Sequence, residues 1–185
     1  VAPFRLFQKI HDRHHAFTND PERDPDYFGD NKHILTVLAH SYYIPFKYHV
    51  LSATKLKHLK IFRDTYPSTI VYFSFMLGGL LTLVLNGFAL EILCFAILPN
   101  LIAILLLVMF FDYIPHQPNS SLARYQNTRI FTGGLWNALL FGQNYHLIHH
   151  LYPRLPWYKY QEVFNRILPD LERKQAPIEQ ISAKD

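Results

Sequence analysis

A single cysteine, Cys94, stands in the 185 residues, inside an apolar run. Its isolation excludes an intrachain disulfide framework and any zinc or iron–sulfur site built on thiolates, and packing is its expected role. Charge is scarce as well: 17% of residues are charged, while 50% are hydrophobic and 16% aromatic. That balance is apolar for a soluble domain of this size and points to a membrane as the solvent. Lys and Arg are absent from Asp64 through Ala123, so the net charge of +4 is not spread as a nucleic-acid surface would need. The basic residues collect at Lys55, Lys57, Lys60 and Arg63 on one flank, and at Arg124, Arg129, Arg154 and Lys159 beyond the other. This is the distribution of a membrane segment with both flanks in the cytoplasm. No stretch after Val1 reads as a signal peptide, and the chain is expected to be part of a longer protein.

Two apolar runs lie in the charge-poor region. Thr69 to Leu85 carries no charge, Asn86-Gly87 is a turn signal, and Phe88 to Phe111 carries only Glu91. Each approaches the roughly 20 residues that cross a bilayer, so residues 69–111 are expected to form an antiparallel transmembrane hairpin that returns both ends to one side. Glu91, near the interface at the positive end of a helix dipole, needs no function there. Pro99 should kink the second span. His33 to Leu59, interrupted by Pro45, reads as an amphipathic segment at the interface, with a buried helix as the other possibility. Asn119-Ser120-Ser121 is a loop, Leu135 to His150 a helix stopped by Tyr152-Pro153 and Pro156, and Leu171 to Asp185 a polar tail that frays. Trp136, Tyr152, Trp157 and Tyr158 suit an interfacial aromatic belt or the wall of a lipid channel. The expected fold class is all-α: an integral membrane protein with one helical hairpin plus cytosolic and interfacial helices.

Histidine is what the chain has in excess, eleven in all, and six fall in two matched triplets: His11, His14 and His15 in HDRHH, and His146, His149 and His150 in HLIHH. Positions i, i+3 and i+4 share one helix face, so each triplet should aim its imidazoles at a single point. Core packing has no reason to place three histidines on one stripe twice. So many imidazoles exceed the four ligands of a closed structural zinc site and favour two first-row metals. Iron suits a redox enzyme facing the cytosol, although imidazole also suits zinc, copper and nickel. Asp20, Glu22, Asp24 and Asp26 alternate without the glycine and terminal Glu of a calcium loop; one or two of them could instead accept the free N–H of ligand histidines. Asp12 should point away from the metal. His33, His40, His49 and His58 show no clustered spacing and are expected to be ordinary polar histidines.

The runs HDRHHAFTNDPERDPDYF, FDYIPH and QNYHLIHHLYPRLPWY resemble the membrane fatty acid desaturase and hydroxylase superfamily, with the bacterial β-carotene-hydroxylase-like branch the most similar. The resemblance implies a cytosol-facing non-haem di-iron centre that uses dioxygen and electrons from a ferredoxin- or cytochrome b5-type donor to desaturate or hydroxylate a lipid. A fatty acyl chain is the favoured substrate and a carotenoid the alternative. His146 stands where certain front-end desaturases have Gln, which argues against that subgroup. The first of the superfamily's three histidine boxes is not in this chain and is expected upstream of Val1; residues 1–185 would be the C-terminal portion of the domain, inactive alone. His116, at the cytosolic end of the second span, is expected to join both triplets as a metal ligand. With two histidines from the missing box it would bring the set to nine. A metal transporter would instead place its ligands near the bilayer midplane. Haem would want single axial histidines, and an inactive scaffold would not need intact boxes.

Overall fold

A computed structural model describes residues 3–27, 33–55, 63–118 and 120–180. Helix accounts for 70% of the structure, in agreement with an all-α membrane fold. Helix α1, Phe4–Phe17, buries Leu6, Ile10 and His14 at successive steps of four, so an apolar stripe becomes a histidine stripe within one helix. Helix α2, Ile34–Ala53, continues through Pro45. One face buries Val37, Ser41, Ile44 and Tyr48, and these contacts hold the helix on both sides of the backbone bond that the proline lacks. The segment thus packs one face against the second span while Leu35, Tyr43 and Phe46 are exposed, and Pro45 does not interrupt it. Lys57, His58, Leu59 and Lys60 lie outside the described residues.

The two apolar runs form α3, Tyr66–Leu85, and α4, Ala89–His116, both long and apolar enough to cross a membrane, with none of either apolar window buried. They exceed the expected 69–111 at both ends. The link at Asn86–Phe88 turns on Gly87, whose φ of +88° suits a residue without Cβ. Helix α4 widens twice into i→i+5 bonding, at Leu93–Ile97 and at Met109–Tyr113. Each widened turn closes with the residue just before a proline: the N–H of Leu98 reaches the carbonyl of Leu93 ahead of Pro99, and that of Ile114 reaches Met109 ahead of Pro115. A proline removes one donor and crowds the carbonyl four residues back, and one extra residue in the turn accommodates both effects. The disturbance expected at Pro99 takes this form. Cys94, on the first widened turn, is exposed rather than packed.

Two apolar cores flank the histidines. The first joins α1, α2 and the end of α4 through Leu6, Ile10, Val37, Ile44 and Tyr48, with Val108, Met109 and Tyr113 against them. The second gathers Ile130, Tyr145, Leu147, Ile148 and Leu151 with Tyr160, Phe164 and Leu171. The single helix expected over Leu135 to His150 is instead α5, Gly134–Leu139, a short turn at Gln143–Tyr145, and α6, His146–Leu151. Gly142 breaks it: φ is +74°, and a Cβ would stand 2.8 Å from the carbonyl oxygen of Trp157. Helix α7, Tyr160–Arg173, comes next. The tail does not fray up to Gln180: β2, Ile178–Gln180, pairs in parallel with β1, Ile130–Thr132, Ile130 opposite Ile178. This small pair, which the all-α expectation did not contain, ties the tail to the chain leaving α4.

Candidate metal centre

The seven expected histidines meet between the two cores, but not one triplet to one point. Nε2 of His11, His15 and His149 form a trio with separations of 3.0 to 3.2 Å. On the other side, Nε2 of His146 lies 3.0 Å from that of His116 and 3.2 Å from that of His150. His14, His116 and His150 bring ligand nitrogens within 4.8 Å of one another. Each triplet is therefore shared: its i and i+4 members stay together while the i+3 member crosses to the other group. Helix geometry explains the split, since i+3 and i+4 diverge by about 100° around the axis. Separations near 3 Å match two nitrogens at right angles on one metal ion at about 2.1 Å. His33, His40 and His49 join neither group, and His49 instead meets the edge of Phe73.

Four of the seven opposite ring nitrogens are anchored, whereas Nδ1 of His15 and of His146 is buried without a hydrogen-bond partner among the described residues. Nδ1 of His14 contacts Oδ1 of Asp24 at 2.8 Å, with Asp26 at 3.7 Å. Nδ1 of His149 lies 2.9 Å from the Tyr160 hydroxyl, Nδ1 of His150 3.2 Å from Oγ1 of Thr18, and Nδ1 of His116 3.4 Å from Oδ1 of Asn19. The loop after α1 makes three of these contacts. Asn19 takes a left-handed φ of 66°, tolerable for its short polar side chain, and the chain then folds back so that the N–H groups of Asn19 and Asp26 both donate to Asp24 at 2.8 Å. Asp20 accepts from the N–H groups of Glu22 and Arg23, and Asp12 faces Lys9 and solvent. The alternating acids thus organise a loop behind His14, as expected for one or two of them, while Glu22 is exposed. Tyr48 donates to Asp26 at 2.5 Å.

Burial, followed by the neighbouring imidazoles, lowers the pKa of His11 to about 3, His15 to about 2 and His149 to about 4. His146 and His150 are driven well down by the same causes. His14 departs from them: burial alone would lower it, but the hydrogen bond and charge of Asp24, with Asp26 behind it, raise it to about 9. A cavity of about 310 Å³ adjoins the cluster, with Phe7, Leu107, Val108 and Phe111 as apolar wall and His11, His14, His146 and His149 at its polar end. On the other side a groove of about 580 Å³ reaches His15 and His150 past Arg23 and Arg124.

Thr18 and Asn19 lie within the run HDRHHAFTNDPERDPDYF, where spacing gives them no role, and Tyr160 and Tyr48 carry no local signal because tertiary packing brings them in. Of the aromatic group, Tyr152, Trp157 and Tyr158 are exposed, and Trp136 is half-buried. Ser120 and Ser121 are in a loop; Asn119 lies outside the described residues. No curated protein and no solved structure matches the chain. The fatty acid desaturase family model matches residues 1–182. The match spans both histidine triplets, the hairpin between them and the segments that anchor them, and the chain belongs to the fatty acid desaturase family, oxidoreductases that act on lipids at membranes.

Proposed function

We propose that the seven histidines hold two iron ions, and that the protein uses dioxygen to desaturate or hydroxylate a lipid, a fatty acyl chain in the first instance. The observation that carries this is the crossed sharing of the two triplets, with Nε2 atoms gathered inward at metal-ligand spacing. His11, His15 and His149 would hold one ion, and His14, His116, His146 and His150 the other. When bound, the iron pair supplies the activation of dioxygen that an unactivated C–H bond requires.

The chain's own residues do the rest. Asp24, Tyr160 and Thr18 hold Nδ1 of His14, His149 and His150, which leaves the Nε2 lone pairs free for the metal. Phe7, Leu107, Val108 and Phe111 form the apolar wall of the cavity, along which a methylene segment would lie beside the histidines. The groove at His15 and His150 offers an electron donor of ferredoxin or cytochrome b5 type its approach, on the cytoplasmic side of the membrane. The full-length protein is expected to carry two irons per chain and to yield an unsaturated or hydroxylated acyl product, identified by metal analysis and mass spectrometry. His116→Ala should lower iron content and abolish turnover without affecting membrane insertion. Full iron and activity in that variant would remove His116 from the site, and a protein acting only on water-soluble compounds would overturn the proposal.

A further inference from the structure

Beyond the histidines lies a concentration of positive charge that the metal chemistry does not use. A cavity of about 290 Å³ opens between the loop after α1 and the C-terminal half of α2, where Arg13, Arg23, Lys47 and Lys55 face Glu22 and Asp24. The carboxylate of Asp24 is committed to His14 and two backbone N–H groups, and Arg23 pairs with Asp20. Arg13, Lys47 and Lys55 have no acidic partner at ion-pair distance among the described residues.

The placement comes from local structure. Lys47 and Leu51, one step of four apart, share a side of α2, and Lys55, just past the helix end, lines the same cavity. The guanidinium carbons of Arg13 and Arg23 stand 4.8 and 4.6 Å from the centre of the Phe17 ring, so one aromatic ring draws two like charges together. Asp26 and Asp24 act on Lys47 from beyond ion-pair distance, ahead of the repulsion from Lys55, and the donors of Arg13 and Lys55 face the same cavity, where an anion would meet all three cations. Planar guanidinium forks combined with ammonium groups form a donor set suited to phosphate.

We propose that this cavity binds a phosphate group carried on the head of a lipid or of a soluble acyl carrier, and thereby fixes the polar end of the substrate. The assignment to substrate rests on the desaturase function proposed above. Neighbouring residues of the same two segments wall both cavities: Asp24 and Lys47 line the cationic one, Asp26 and Tyr48 the one beside the histidines. A phosphate-seeking head site selects acyl lipids over a carotenoid, which has no anionic group.

The test is equilibrium binding of fluorescent phosphatidic acid to the full chain in neutral detergent micelles. The pair Lys47→Gln and Lys55→Gln is expected to weaken binding about tenfold, the scale of one charge-assisted contact, while Lys47→Arg with Lys55→Arg retains it. Arg154→Gln, exposed and outside the cavity, should change nothing. Lys55→Gln alone, on an exposed side chain past the end of α2, should still weaken binding measurably, so a folding defect at Lys47 does not hide the result. Displacement by inorganic pyrophosphate at concentrations like those of phosphatidic acid assigns a soluble phosphate head; displacement by unlabelled phosphatidic acid alone assigns a lipid head. An equal loss in Arg154→Gln, or diacylglycerol binding as tightly as phosphatidic acid, overturns the proposal. Failure of the desaturase function would show separately, as phosphate-dependent binding by a full-length protein that takes up no iron and forms no lipid product.

Discussion

Asp24 decides the protonation state of the one histidine that differs from its neighbours. Its hydrogen bond and charge raise His14 to about 9 against the pull of burial, so metal-free His14 is a cation at neutral pH, whereas a ligand must be neutral. Metal loading near neutral pH is therefore expected to release about one proton from His14. Calorimetry in buffers of different ionisation enthalpy would measure it. Asp24→Asn should suppress that release and weaken metal binding by about 10- to 100-fold; unchanged release would dissociate Asp24 from the site. The same shifts set the acid and alkaline limits of the metal-free fold. His11, His15 and His149 have folded-state values of about 3, 2 and 4 against 6.5 unfolded, so the unfolded chain takes up protons first and stability falls as pH drops below 6.5. For His14 the sign reverses: its contribution is complete below 6.5 and is lost as pH rises through about 9. Thermal unfolding of the metal-free protein should peak near pH 6.5, and a flat profile from about pH 5 to about pH 9 would contradict both shifts.

Among the elements, the end of α4 carries the most consequence, because it delivers His116. The widened turn at Met109–Tyr113 sets its bearing, since one residue more in a helix rotates all later positions by about 100°. Arg129 then fastens the helix end: its N–H donates to the carbonyl of Pro115 at 2.8 Å, and its guanidinium reaches the carbonyl of Ile114 at 3.2 Å and Glu179 in β2 at 2.6 Å. Arg129→Ala is expected to cost about 1–2 kcal/mol and to lower metal content through His116, with Glu179→Gln milder. Thermal unfolding and metal analysis of purified protein would show both effects. Unchanged metal content would mean that the widened turn alone holds His116.

Across the whole molecule, the hairpin makes the histidine centre one-sided. Both spans leave the same face, α1 and α6 meet there, and the Asn86–Phe88 link is the far tip. Asn86→Cys in a Cys94→Ser background should react with an impermeant maleimide only from outside the cytoplasm, and Ser121→Cys only from the cytoplasm. The reverse labelling would invert the topology inferred from the basic flanks.

Periodicity and composition were enough to announce the membrane hairpin, because an apolar run of span length has few other fates. Helical spacing also marked the six triplet histidines as a group, because positions i, i+3 and i+4 share a helix face, while His116 was marked only by its place at the end of the second span. Local backbone rules had less reach elsewhere. Gly142 divides the expected helix over 135–150, and the tail is held by pairing with β1, a partner almost fifty positions away in sequence. The membership of the two histidine groups was a tertiary decision: a helix sets the angles between His11, His14 and His15, but only the approach of α6 determines which imidazole of one triplet meets which of the other. Asp24, Thr18, Asn19 and Tyr160 became partners of particular ring nitrogens for the same reason. Spacing along a chain fixes directions from one axis, and a site between two axes exists only once both are packed.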